Sequence, residues 1–180
     1  EGAFRESVRH IVGVQFRNVA TVGGSLWGRF GFSDVMTIFR ALGAKVELHH
    51  AGIMDLDEFV RFPRKTRDIL VAVIVPKTVE KVVYLSQRNQ STDFPVLTCA
   101  VAGTESGYRF SIGARPGKAV LFELTDADIR EADVENVAEY AAKCVKEQIE
   151  TGSNTRGSAE YRKHLAGVLV KRAVCKLEGK

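Results

Sequence analysis

Between Thr21 and Asp34 the chain gathers more side chains able to grip a small ligand than anywhere else along its length. Gly23 and Gly24 carry no Cβ, so they tolerate positive φ and let another group lie close against the backbone; such a pair can cradle a phosphate. Thr21 and Ser25 flank the pair with hydroxyls that can donate to an anionic oxygen, and Trp27, Phe30 and Phe32 offer flat apolar surface for a ring. Ser33 and Asp34 open a helical pattern in which Val35, Ile38, Phe39 and Leu42 recur at i, i+3, i+4 and i+7, with Asp34 carrying N-cap chemistry. An acid there can also hold a ribose or ribityl hydroxyl. Two common phosphate loops are excluded: no G-x-G-x-x-G follows an expected strand, and the glycines lead to no Gly-Lys-Ser/Thr.

The remaining chemistry is sparse. His49 and His50 are neighbours at the end of an expected strand, where they would point to opposite faces and could not share a metal. Cys99, Cys144 and Cys175 are far apart and form no C-x-x-C, so neither a zinc site nor an iron–sulfur cluster is written here. Tyr161 and His164 lie one helical turn apart and read as a packing pair. No Ser-His-Asp set or carboxylate pair at catalytic spacing stands out. That absence fits a protein that presents a cofactor and does little acid–base work itself.

The elements that must position the glycine stretch alternate between helix and strand. Phe4, Val8 and Ile11 suggest a short amphipathic helix over residues 1–14. After the Asp34 helix, Gly43 is a natural stop, residues 44–50 alternate as a half-buried strand, and Asp55-x-x-Glu58 reads as a capping box for a short helix. Residues 61–67 form a basic loop, and Ile69 to Val75 is an unbroken apolar run expected as a strand covered on both faces. Residues 77–81 are a polar break, placing the expected domain boundary between 1–77 and 78–180. Beyond it, strands are expected at residues 82–86, 94–102, 107–113 and 118–124, joined by short connections into an antiparallel meander. Asp133 is expected to cap one helix with Val134, Val137, Ala141 and Val145 inward, and Ser158 to cap the last, with Leu165 and Leu169 inward. The architecture is therefore α+β: a small mixed unit, then an antiparallel three- or four-strand sheet with a helical layer.

Composition narrows the class further. The 180 residues are 45% hydrophobic and 27% charged, an ordinary globular balance. No apolar run approaches the ~20 residues of a membrane helix, and a cytoplasmic location is expected. The net charge of +4 is scattered rather than gathered into a stripe, which argues against nucleic acid.

One resemblance covers nearly the whole chain. Arg17-Asn18-Val19-Ala20-Thr21-Val22-Gly23-Gly24, followed by Asp34 and a helix ending Ala41-Leu42-Gly43-Ala44, resembles the second FAD-binding segment of the molybdopterin dehydrogenase flavoprotein subunits. The likeness continues through Pro63-Arg64-Lys65-Thr66, Asp68-Ile69-Leu70, Tyr84 to Phe94, and Arg156-Gly157-Ser158-Ala159-Glu160-Tyr161-Arg162. It implies the C-terminal part of an FAD domain followed by the flavoprotein's own C-terminal domain, in oxidoreductases of the xanthine dehydrogenase and carbon monoxide dehydrogenase type. FAD is the implied cofactor; electrons would arrive from iron–sulfur clusters and a molybdopterin centre on partner subunits and leave to NAD or another acceptor. Gly23 and Gly24 would approach FAD through the backbone, Thr21 and Ser25 through hydroxyls, Asp34 through its sugar-like portion, and Gly28 would clear space beside it, with Trp27 alongside. Leu70 would lie near the FAD, Phe94 would be the apolar residue against the flavin ring, and Asp93 the nearby acid. Two departures matter: Ser25 stands where the family usually has asparagine, and Arg88-Asn89 replaces the usual adjacent arginines, so acceptor preference does not carry over. The family's leading subdomain is missing, which reads as a fragment of a longer subunit. The competing expectations are a scaffold that docks partner subunits without retaining FAD and, more remotely, a basic domain that binds acidic ligands nonspecifically.

Overall fold

A computed structural model of the chain describes residues 2–79 and 81–180. Glu1, at the start of the expected first helix, and Glu80, within the expected polar break, lie outside the described residues. Four helices come first: α1 (Gly2–Arg9), α2 (Val14–Val19), α3 (Val22–Gly28) and α4 (Asp34–Ala41). Then follow β1 (Lys45–Leu48), β2 (Gly52–Asp55), α5 (Leu56–Arg61) and β3 (Leu70–Ile74). The second half holds β4 (Lys81–Gln87), β5 (Leu97–Thr104), β6 (Gly107–Gly113), β7 (Val120–Thr125), α6 (Asp126–Glu131), α7 (Val137–Gln148) and α8 (Ala159–Glu178). Among the described residues, no helix is long and apolar enough to cross a membrane.

The first sheet has the order β2-β1-β3, and both pairings are antiparallel. β1 is central and buries Val46 and Leu48 on one face only. The expectation that residues 69–75 form a strand covered on both faces is therefore corrected. β3 pairs with β1 alone, and Ile69 and Val71 are 66% and 55% exposed, because this small sheet has a core on one side. His49 and His50 also depart from expectation. They sit in the turn after β1 with ring centroids 4.5 Å apart, edge to face, because the Asp68 carboxylate accepts the His50 and Ala51 N–H groups and folds the chain there.

The second sheet is the expected meander, with four antiparallel strands in the order β4-β5-β6-β7. β5 is buried on both faces, and its alternation assigns one residue set to each. Leu97, Cys99 and Val101 pack with Leu165, Leu169 and Val174 of α8 and Ala141 and Val145 of α7. On the other face Ala100 and Ala102 join Val35, Ile38 and Phe39 of α4 in a second core, which also takes in Val46 and Leu48 of the first sheet. Small residues let α4 approach closely. A Cβ on Gly113 would lie 2.5 Å from both Thr37 Oγ1 and Thr98 Oγ1, and those two hydroxyls are 2.9 Å apart in a buried hydrogen bond. Arg40 closes the join, donating to Asp57 at 2.6 Å and to the Ala119 carbonyl.

Several caps lie elsewhere than the sequence suggested. Asp55 makes no side-chain cap and pairs with Lys45 at 3.5 Å, because β2 carries it beside β1. Asn136 caps α7, accepting from the Glu139 N–H, while Asp133 occupies a left-handed turn (φ 46°) after the unforeseen helix α6. A reciprocal Thr125–Asp128 capping box starts α6. Ser158 does cap α8, accepting from the Tyr161 N–H at 3.1 Å.

Candidate functional site

The glycine stretch folds as helix rather than as an open turn. Thr21 is the N-cap of α3: its Oγ1 accepts from the Gly24 N–H at 2.9 Å and its carbonyl from the Ser25 N–H at 3.1 Å. Gly23 and Gly24 therefore lie in the first helical turn, not at positive φ, because N-cap chemistry outweighs the glycines' freedom. The missing Cβ on Gly24 leaves room for the Thr21 hydroxyl, and Gly23 lies beneath the Leu70 side chain. The Gly24 N–H is used by the cap. The N–H groups of Val22 and Gly23 have no partner within the helix by their position at its start.

The loop after α3 builds an aromatic wall. Gly28 leaves the space that the Phe30 ring fills, since a Cβ there would come within 2.8 Å of it. Arg29 follows in a left-handed conformation (φ 47°) and is buried, donating to the Phe59 and Phe62 carbonyls with its guanidinium over the Phe59 ring. Gly31 then presses against the second sheet's side. Its carbonyl accepts from the Ala114 N–H at 2.7 Å, and a Cβ on it would lie 1.9 Å from the Gly117 carbonyl oxygen. Between these anchors Phe30 stacks on Phe32 (centroids 5.2 Å apart), and Phe32 packs on Phe94 (4.4 Å).

Asp34 is the polar centre of the region. Ser33, not Asp34, caps α4, accepting from the Met36 N–H at 3.1 Å. Asp34 is instead the first helical residue, 5% exposed, and its Oδ1 accepts from the Tyr84 hydroxyl and from Arg88 Nη2. Among the described residues no side chain donates to Oδ2, and the Asp34 backbone N–H adds to the pull on the carboxyl. Burial pushes the Asp34 carboxyl above its ordinary value, against the pull of Tyr84 and Arg88 toward the charged form. Burial, and next to it the Asp34 charge, raises the Tyr84 hydroxyl, so this phenol stays a donor.

The loop between β4 and β5 supplies the facing side. Asp93 Oδ1 accepts from the Phe94 N–H at 2.7 Å and from Arg156 Nη2 at 3.3 Å, while the Arg156 guanidinium sits over the Phe94 ring. Asn89 donates to the Arg156 carbonyl. The 152–158 loop that carries Arg156 is held from below by Arg162. This fully buried side chain donates to the Val96, Gly152 and Gly157 carbonyls and to Asn154.

These parts enclose a cleft of about 610 Å³, within the range of ligand pockets. Six expected site residues line it: Thr21, Gly24, Ser25, Asp34, Asp93 and Phe94. Gly23, Gly28 and Leu70 stand behind the wall, and Trp27 packs into the core against Phe59 instead. Arg88 and Phe16 also line the cleft, as do Val12 and Ile11; Ile11, expected in a helix over residues 1–14, lies instead between α1 and α2. Their signal was weak: α2 is six residues long and carries no buried side chain. Among the described residues no group of three or more His, Cys, Asp or Glu side chains could hold a metal ion.

Comparison with known proteins identifies the architecture. Residues 2–78 match the family model for the FAD binding domain in molybdopterin dehydrogenase, and residues 82–177 match that for the CO dehydrogenase flavoprotein C-terminal domain. The chain belongs to the molybdopterin dehydrogenase flavoprotein family. This flavoprotein chain is 24% identical over 170 residues to the YgfM protein of Escherichia coli K12, a match covering 93% of the chain and 62% of that relative. Its fold is similar to reconstituted CO dehydrogenase from Oligotropha carboxidovorans (TM-score 0.78, 23% identity, 96% of this chain and 66% of that one). A similar likeness holds for quinoline 2-oxidoreductase from Pseudomonas putida 86 (TM-score 0.75, 20% identity, 95% and 65%). The chain thus spans just under two thirds of the length of these relatives, between 62% and 66%.

The residues of the cleft fit the family's cofactor. FAD brings a flat ring system, hydroxyls and a diphosphate. The cleft offers Phe16, Phe30 and Phe94 with about half of each side chain still in water (51%, 54% and 45% exposed), a carboxylate with one oxygen unclaimed, and the hydroxyls of Thr21 and Ser25.

Proposed function

We propose that this chain forms one wall of the FAD site in a molybdenum-containing hydroxylase or dehydrogenase of the xanthine dehydrogenase or CO dehydrogenase type. In this reading residues 1–77 are the second FAD-binding unit and 78–180 the flavoprotein's C-terminal unit, which adds Asp93 and Phe94 to the cleft. The protein is a cytoplasmic oxidoreductase component whose partners are an iron–sulfur subunit and a molybdopterin-binding subunit, with NAD or another acceptor taking the electrons. The observation that carries the reading is the convergence of Thr21, Ser25, Asp34, Asp93 and Phe94, drawn from three separate stretches, on one cleft.

FAD supplies one- and two-electron redox chemistry when bound; this chain's residues bind, orient and shield. Asp34 Oδ2 is available to accept a sugar-like hydroxyl, because Oδ1 is already held by Tyr84 and Arg88. Thr21 and Ser25 would donate to anionic oxygens at the start of α3, where Gly24 keeps the backbone approachable, while Gly23 would serve from behind the wall, beneath Leu70. Gly28 would serve indirectly, through the Phe30 ring it admits, and Leu70 through the glycine turn it covers. Phe94, backed by Arg156, would present an apolar face to the ring and keep water from it.

Titration of the purified chain with FAD, followed by visible absorbance, tests the reading. Saturable binding is expected, and Asp34→Ala should weaken it by about tenfold, the effect of one lost charge-assisted hydrogen bond of ~1.4 kcal/mol. Equal affinity in Asp34→Ala would remove its assigned role. Absence of any flavin uptake, together with retained folding, would leave the scaffold alternative.

A further inference from the structure

Arg88 touches both sides of the cleft. It follows directly after β4, and its side chain is 7% exposed. One guanidinium meets two demands: Nη2 donates to Asp34 Oδ1, and Nη1 donates to the Asp93 carbonyl at 2.5 Å. Asp34 belongs to the start of α4, while Asp93 belongs to the loop that delivers Phe94. Tyr84, four residues before Arg88 and so on the same side of an extended chain, donates to the same Asp34 oxygen.

We propose that Arg88 is the positioning residue of this cleft, fixing Asp34 and the Asp93–Phe94 turn relative to one another so that a ligand meets both sides already set. The proposal rests on the FAD reading for the identity of the ligand, but not for the geometry. It also accounts for the single arginine of Arg88-Asn89. The first position must span two acceptors, whereas Asn89 needs only to donate one hydrogen bond to the Arg156 carbonyl. A planar fork is required for the first task. Lysine keeps the charge but has a single ammonium, which cannot hold both oxygens in fixed directions.

Arg88→Lys and Arg88→Gln in the full chain, with Tyr84→Phe as companion, test this by hydrogen exchange and by FAD titration. In Arg88→Lys, the Phe94 amide should exchange about tenfold faster while α8 amides keep their wild-type rates, the pattern of local rather than global opening. FAD affinity should fall by about tenfold in the same variant, and by less in Tyr84→Phe, which leaves the Arg88–Asp34 pair in place. Wild-type exchange at Phe94 in both Arg88 variants would overturn the proposal. Acceleration shared equally by α8 would also overturn it, since that marks a merely structural role. If the wild-type chain takes up no FAD, the cofactor reading falls on its own, and exchange at Phe94 alone decides for or against Arg88.

Discussion

On the α7 and α8 side of the second sheet, Phe110 and Ile112 are sealed beneath Leu165, Leu169 and Val174, none of them more than 7% exposed. At the cleft the same kind of residue is left wet: Phe16, Phe30 and Phe94 keep about half of their surface in solvent, while a carboxylate and a guanidinium are buried beside them. Folding free energy alone favours the reverse arrangement, with rings buried and ions exposed. The first region is made for stability. The second departs from it in the two ways a ligand could repair, an apolar wall without cover and an acid with an unclaimed oxygen.

The largest expected contrast comes from Phe110→Ala. Removing a ring that is 1% exposed and paired across strands with Val101 and Phe122 should cost ~3–5 kcal/mol in chemical denaturation. FAD affinity of the remaining folded protein should stay at the wild-type value, because nothing in that core lines the cleft. A parallel loss of flavin affinity would show that the two regions are not separable.

The division between what could and could not be read from the sequence follows the same line. β6 emerges at residues 107–113 as expected because alternation is a local signal, and Ser158 caps α8 because a cap needs only the next three residues. The nine expected site residues were named from a local stretch and a resemblance, and six of them meet in the cleft. The contacts that organise the cleft were not legible. Arg88 meets Asp34 across 54 positions and Arg156 meets Asp93 across 63, and neither pairing leaves a trace in periodicity. The glycine pair was misjudged for a related reason: Gly23-Gly24 permits a turn, but Thr21 ahead of it and Leu70 above it select a helix. The exposed face of β3 was hidden because an apolar run shows that a strand can be covered, not that a second layer exists to cover it.

Asp34→Asn sharpens the comparison through pH. The folded protein holds the Asp34 proton more tightly than the unfolded chain, since burial raises this carboxyl above 3.8. As pH rises through the window that opens at 3.8, the unfolded state releases the proton first, so this group's contribution to stability falls with rising pH and levels off above the folded value. The stability of wild type minus that of Asp34→Asn, measured by urea unfolding from pH 3.5 upward, should therefore decline, by at most ~1.4 kcal/mol per pH unit. A difference that increases with pH would mean that Arg88 and Tyr84 outweigh burial and that the carboxylate is stabilised in its charged form.

Phe94→Ala should give the smallest stability effect and the clearest functional one. The ring is 45% exposed, and its contacts are Phe32 on one side and the Arg156 guanidinium on the other, so truncation should cost no more than ~1 kcal/mol in unfolding. In the proposed reading, its water-facing half is the part offered to a flavin ring. Losing a stacking partner worth ~0.5–1.5 kcal/mol beyond its area should weaken FAD binding several-fold and increase the bound flavin's access to an external quencher. Phe110→Ala and Phe94→Ala would then form opposite halves of one experiment, the first destabilising the fold without altering flavin affinity and the second doing the converse. A Phe94→Ala chain that unfolds as readily as Phe110→Ala, yet binds FAD as wild type does, would make Phe94 part of the core despite its exposure and would remove it from the cleft's working surface.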